Sequence, residues 1–193
     1  MPKKLILASQ SEGRKKLLQE AVFKFMVIVS HFDEESIRDP DPRKLVQKLS
    51  IAKARAVLKN APSNAIILAG DQVVKIGDNI VGKPKNEKEL RQWLGALEHS
   101  FADIFQGYAI IDAETGKEWI GIETARVYFG AISEPEINEW IMSNKPFARA
   151  GGFSLREKPS RRWIARYDGE QSTIIGMPMP VVAPILNRLL GKV

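Results

Sequence analysis

Residues 65–84 read AIILAGDQVVKIGDNIVGKP. Ala65 to Gly70 form an apolar run with no charge, which reads as a buried strand. One carboxylate, Asp71, closes the run and sits where that strand is expected to leave the core. Val73 to Gly82 then reads as a hairpin, because Gly77, Asp78 and Asn79 tolerate the positive φ of a tight β turn. The chain comes back through Gly82-Lys83-Pro84, returning a lysine towards the acid.

Strands and helices alternate on both sides of this stretch. KLILAS (4–9) predicts a short buried strand, and Ser11 followed by Glu12 predicts the N-cap of a helix reaching about Val22. FKFMVIVS (23–30) predicts a second strand, and the acidic HFDEES (31–36) a loop. Residues 41–60 predict a long helix with Leu45, Leu49, Ala52 and Ala56 at helical spacing. On the other side, residues 86–99 place Leu90, Trp93, Leu94 and Leu97 on one helical face. Two long β segments follow near 101–112 and 118–130, joined by the turn AETGK. Ser133 and Glu136 have capping-box spacing for a helix through Met142. Residues 145–162 combine Gly151-Gly152, prolines and a run of basic side chains, which predicts a loop or mobile flap. WIARYDG predicts a strand and turn, and GMPMPVVAPILNRLLGK a closing helix with prolines in its first turn. The expected fold class is α/β, with residues 1–193 forming one domain.

Composition narrows the chemistry. Among 193 residues there are no cysteines, which excludes thiol catalysis, disulfides and thiolate metal sites. Two histidines do not by themselves make a His-rich zinc centre. A net charge of +6 favours anionic partners such as nucleotides, nucleic acid or acidic membranes without choosing among them. No stretch approaches the roughly 20 apolar residues of a membrane span, and the N-terminal apolar run is too short for a signal peptide. A cytoplasmic protein with no membrane partner is therefore expected.

Several side chains stand out against this background. Arg14 begins the apolar stripe continued by Leu17, Leu18, Ala21 and Val22, and Lys53 lies four residues after Leu49 on its own helix. Both cations point to the interior side of their helices. Either they lie along apolar surface with their heads in water, or they form an anion site with Ser9 and Ser11 at a helix start. The alternative for the serines is that Ser11 is simply a cap and Ser9 an ordinary turn residue. An aspartate at Asp71 must be paired, metal-bound or held in a cleft, unless it is structural in a turn. The flanking Gly and Pro aim Lys83, which is otherwise a surface lysine, and Glu34 in the acidic loop is a candidate Mg²⁺ ligand or a solvated acid.

Together and in this order these residues resemble the Maf family of nucleoside triphosphate pyrophosphatases. LILASQSEGRKKLL is similar to that family's Ser-x-Ser-x-x-Arg opening, SIAKARAV to its Lys-Ala helix, and LAGDQVV to its Asp-Thr/Gln-Val segment. GKP, ARAGGF and IIGMPMP resemble its Gly-Lys-Pro turn, Lys-Ala-Gly-Gly-Tyr region and Val-Gly-Leu-Pro closure. The resemblance implies a two-lobed domain with a mixed, twisted sheet flanked by helices and a central nucleotide-binding cleft, similar to inosine triphosphate pyrophosphatases. It implies hydrolysis of a nucleoside triphosphate to monophosphate and pyrophosphate with Mg²⁺ or Mn²⁺, often in a homodimer. Asp71 would then activate water and hold metal with Glu34, while Ser9, Arg14, Lys53 and Lys83 hold the triphosphate.

The base-reading region departs from the family pattern. Gln72 resembles the subgroup acting on 7-methyl-GTP, whereas Gln106-Gly107 replaces a Thr-Gly and Ser154-Leu155-Arg156 replaces the Gly-Ile-Gln of the dTTP/UTP subgroup. Gln72, Gln106 and Arg156 either read the base edge or reflect a rearranged wall. Trp163 and Tyr167 are available to stack on a base or to pack in the core. A nucleotide-binding regulator of cell division with little turnover is the alternative to an enzyme, although a pure sensor has no need of Asp71. Stable nucleic-acid binding is not expected, because no recognised module surrounds the basic stretch SLREKPSRRWIAR.

Overall fold

The computed structural model describes residues 2–191. In chain order the elements are β1 (Lys4–Leu7), α1 (Glu12–Glu20), β2 (Phe25–Val27), α2 (Pro42–Leu58), β3 (Ala65–Ile76), β4 (Asn79–Val81) and α3 (Glu87–Leu97). They continue with β5 (Phe101–Asp112), β6 (Glu118–Phe129), α4 (Glu134–Met142), β7 (Ile164–Asp168), α5 (Gln171–Ile175) and α6 (Met179–Leu190). One seven-stranded sheet runs in the order β2-β1-β3-β5-β6-β7, with β4 paired to β3. The β1–β2 and β1–β3 pairs are parallel and the β3–β4 and β6–β7 pairs antiparallel, so the sheet is mixed. The α/β expectation holds. Among the described residues no helix is long and apolar enough to cross a membrane.

The chain divides into two compact units. The first comprises residues 1–71, 106–123 and 176–193; the second comprises residues 72–105 and 124–175.

In the first unit, Ile6, Ala8, Ile67, Ala69, Ala109 and Ile111 from the sheet pack with Ala54 and Val57 of α2. Helix α2 starts where Asp41 accepts a hydrogen bond from the Arg43 amide at 2.9 Å and Pro42 takes the first turn. Its buried face is Val46, Leu49, Ser50, Lys53, Ala54 and Val57. The expected stripe of Leu45, Leu49, Ala52 and Ala56 is thus rotated, and only Leu49 of that set is buried. Apolar spacing misplaced the seam because two polar residues lie in it: the Ser50 hydroxyl is satisfied by the Val46 carbonyl at 2.7 Å, and Lys53 has carboxylate partners. Gly107 of β5 lets strand and helix approach closely, since a Cβ there would sit 2.4 Å from the Val46 carbonyl oxygen and 2.8 Å from Ser50 Oγ. A Gly107→Ala change must therefore push α2 off the sheet. It is expected to cost about 2 kcal/mol or more, readable as a lowered urea midpoint with unchanged slope.

The second unit is built around Leu90, Leu94 and Leu97 of α3, Trp140 of α4, Phe129, Phe153 and Trp163. The indole of Trp140 meets that of Trp163 edge-to-face at 6.5 Å and donates to the Gly152 carbonyl at 2.7 Å. Of the loop or mobile flap expected at 145–162, the structure shows a loop with short 3-10 turns that is packed into this core. Gly151 to Leu155, Pro159 and Ser160 are buried, the Ser154 amide donates to Ser160 Oγ at 2.8 Å, and Arg149 pairs with Glu157 at 2.8 Å. Glycine and proline give this segment a loop's composition, but they serve packing. Gly151 and Gly152 have φ of +69° and +72°, and a Cβ on Gly152 would lie 2.4 Å from Leu90 Cδ1. Two strands also differ from expectation. Strand β2 spans Phe25–Val27 rather than 23–30, and β3 does not stop at Asp71 but continues to Ile76.

A candidate active site around Lys53 and Asp71

The strand correction matters most here, because Asp71 lies in the middle of β3 rather than at its end. Six fully buried residues precede it, and Val73 and Val74 beyond it are buried too. A carboxylate in that position needs a partner. The Lys53 ammonium, brought in by the core-facing side of α2, makes a short hydrogen-bonded ion pair with Asp71 Oδ1. Both groups are nearly closed to solvent, Lys53 at 7% and Asp71 at 6% exposure.

The same ammonium meets a second acid. A single 3-10 turn, Glu34–Ser36, opens with Asp33 accepting from the Glu35 amide at 3.0 Å and sets Glu34 Oε1 2.9 Å from Lys53 Nζ. Glu34 is largely exposed, so one carboxylate of the pair is buried and the other faces water. The acidic segment 31–36 thus ends in a single 3-10 turn.

Arg14 completes the cluster from α1. Ser11 caps the helix, and the core-facing stripe carries the arginine inward to 9% exposure. Its Nε donates to the Gly176 carbonyl at 2.8 Å and one terminal nitrogen donates to Ser9 Oγ at 3.0 Å. Ser9 Oγ also accepts from the Ser11 amide at 3.2 Å, so the β1–α1 loop and the arginine hold one another. Ser11 thus serves as the helix cap, and Ser9 joins the turn to the buried Arg14 guanidinium.

The electrostatics follow from this burial. Desolvation pushes the Asp71 carboxyl above the usual carboxylate range, against the downward pull of Lys53 and Arg14, while the negative charge of Glu34 adds to the rise. Burial lowers the Arg14 guanidinium, opposed by Asp71 and Glu34. A guanidinium starts so high that it stays charged at neutral pH. The result is a buried carboxylate with a raised proton affinity, flanked by two held cations and one exposed acid. Among the described residues no group of three or more His, Cys, Asp or Glu side chains gathers as a metal-binding cluster. Asp71 and Glu34 nonetheless converge on one positive centre with hard oxygen donors, a pattern compatible with a divalent ion that draws its other ligands from phosphates and water.

Of the remaining predicted residues, Gln106 belongs to the first unit and the others to the second. Lys83 is exposed on the turn between β4 and α3. Gln72 Nε2 donates to the Thr173 and Ile174 carbonyls at 3.0 and 3.1 Å, tying β3 to α5. Arg156 is partly buried, and its backbone amide donates to Ser154 Oγ at 3.2 Å. Trp163 is a core residue at 1% exposure whose indole donates to Glu136 at 3.1 Å, while Tyr167 is 39% exposed. Sequence reasoning missed the Gly176 carbonyl as the anchor of Arg14. The IIGMPMP stretch contains that glycine, but nothing local shows that its oxygen faces a side chain from the opposite end of the chain.

Comparison with known proteins places this geometry in a family. The family model described as Maf-like protein matches residues 4–189. A protein named nucleoside triphosphate pyrophosphatase from Synechococcus sp. (strain JA-3-3Ab) is 32% identical over 185 residues, covering 96% of this chain and 93% of that protein. A protein named dTTP/UTP pyrophosphatase from Geobacillus sp. (strain WCH70) is 32% identical over 187 residues, covering 97% and 98% of the two chains. Among solved structures, the Staphylococcus aureus Ham1 protein aligns with a TM-score of 0.45 and 15% identity over 66% of this chain and 72% of that one. With a family match over nearly its whole length and relatives at this identity and coverage, the chain belongs to the Maf-like protein family.

Proposed function

We propose that this protein hydrolyses nucleoside triphosphates to the nucleoside monophosphate and pyrophosphate. The observation that carries the reading is the buried Asp71 held on Lys53, with Glu34 on the same ammonium, in a chain whose relatives bear the name pyrophosphatase. An enzyme of this kind must gather positive charge around a polyanion and offer a base to water. Lys53 and Arg14 are cations held in place before any ligand arrives, so little reorganisation is required when phosphate binds.

The chemistry divides among these side chains. Asp71 takes a proton from water as its oxygen attacks the α-phosphorus, and the bond from that phosphorus to the bridging oxygen of the β-phosphate breaks. Pyrophosphate departs with the bridging oxygen, and the nucleoside monophosphate keeps the oxygen delivered by water. Lys53 stabilises the ionised form of Asp71 and, with Arg14, offsets charge on the phosphates. Ser9 orients Arg14 through its hydroxyl. Asp71 and Glu34 would hold Mg²⁺ or Mn²⁺, which when bound supplies charge neutralisation on the phosphate oxygens. The raised proton affinity of Asp71 favours its taking a proton from water.

The test is an assay of purified protein with Mg²⁺ or Mn²⁺ against dTTP, UTP, CTP and 7-methyl-GTP. Monophosphate and pyrophosphate in equal amounts, with one base preferred, are expected. Bound nucleotide without any product would support instead the reading of a nucleotide-binding regulator.

A further inference from the structure

Three glycines from three separate parts of the first unit gather around one side chain that the proposed reaction does not use. Gln106 of β5 has no solvent exposure. A Cβ on Gly70, the residue before Asp71, would lie 3.0 Å from Gln106 Nε2 and 3.2 Å from the Gly107 carbonyl oxygen. A Cβ on Gly176, whose carbonyl anchors Arg14, would lie 3.6 Å from Arg14 Nε and 3.8 Å from Gln106 Oε1. Gly107 itself lies tight against α2, the helix that carries Lys53. The glutamine thus presses on the backbone that presents Asp71 and lines the slot beside the carbonyl that holds Arg14.

Its hydrogen bonding is unusual for a group so deeply buried. Gln106 Nε2 donates to the carbonyl of its own neighbour, Gly107, at 2.6 Å, while Oε1 has no partner among the described residues. Leaving a buried acceptor unsatisfied costs about 1–3 kcal/mol. A methionine or leucine fills similar volume without that cost, so packing alone does not account for an amide here. What an amide adds is a planar group fixed by its bond to Gly107, with the negative end of its dipole turned to the slot shared with the Arg14 guanidinium.

We propose that Gln106 is a positioning residue of the active site: its braced amide fixes the Gly70–Asp71 backbone and the Arg14–Gly176 clamp in the geometry that turnover requires. The proposal rests on the pyrophosphatase reading. It separates two properties that a purely structural residue would move together, because the amide is held at a cost to stability.

The experiment compares wild type with Gln106→Met and Gln106→Leu, measuring melting temperature, kcat and KM for the preferred triphosphate. Both variants are expected to melt within about 4 °C of wild type while kcat falls about tenfold and KM changes less than about threefold. Unchanged kcat in a folded variant overturns the proposal. Melting far below wild type in both variants also overturns it, by assigning the amide to the fold. If wild type itself releases no pyrophosphate, it is the pyrophosphatase reading that fails, and the comparison separates the two.

Discussion

Asp71→Asn is expected to lower kcat by about a thousandfold while leaving nucleotide affinity near that of wild type. The amide fills the same volume and still accepts a hydrogen bond from Lys53, so the local packing has little reason to change. What is lost is the proton acceptor. Stability is expected to move the other way. Because burial raises the Asp71 carboxyl above its ordinary value, the native state binds this proton more readily than the unfolded chain does. Keeping Asp71 ionised therefore weighs against the native state at neutral pH, and that penalty fades as pH falls through the native and then the unfolded pKa. The variant should melt no lower than wild type near pH 7, with the difference shrinking in acid. A thermal scan beside a steady-state assay reads both effects. On the proposed reading, in which Asp71 must be ionised to act, the same shift moves the acid limb of kcat/KM above the ordinary aspartate value of about 3.9.

Lys53→Met is expected to have the second-largest effect, and here stability and activity fall together. The ammonium joins a buried acid to an exposed one. Removing it leaves Asp71 inside the core with Glu34 as a like charge nearby. Breaking a buried pair from one side costs about 3–5 kcal/mol, although protonation of Asp71 relieves part of that cost. The acid limb should accordingly shift to higher pH, and KM for the triphosphate should rise if, as proposed, Lys53 offsets phosphate charge. Adding Asp71→Asn to Lys53→Met should recover much of the lost stability without recovering turnover. A double-mutant cycle on urea midpoints measures that coupling. If the two changes simply add, the ion pair is not what holds these residues in place.

The division between what was and was not legible in the sequence has a physical basis. Arg14 and Lys53 were visible because helical spacing is local: a cation on the apolar stripe of a helix has to face inward, and both do. Asp71 was visible as an acid after an apolar run. Its place in mid-strand was not, since the Lys53 that satisfies it arrives from another element and the strand beyond it pairs with β4. The packing of segment 145–162 was not legible for a similar reason. Its glycines, prolines and charges have the composition of a loop, and what orders it is a hydrogen bond from Trp140 to Gly152 together with packing on Leu90. Gln106 stood out in the sequence only as a departure from a family pattern. Its burial and its ring of glycines depend on Gly70 and Gly176, which no local window brings together.

The most direct measurement is hydrolysis of the preferred triphosphate in water enriched in heavy oxygen, with the products separated and weighed. The account predicts the label in the nucleoside monophosphate, unlabelled pyrophosphate, and almost no product of either kind from Asp71→Asn. Label in pyrophosphate, release of single phosphate, or full activity in the asparagine variant would contradict it.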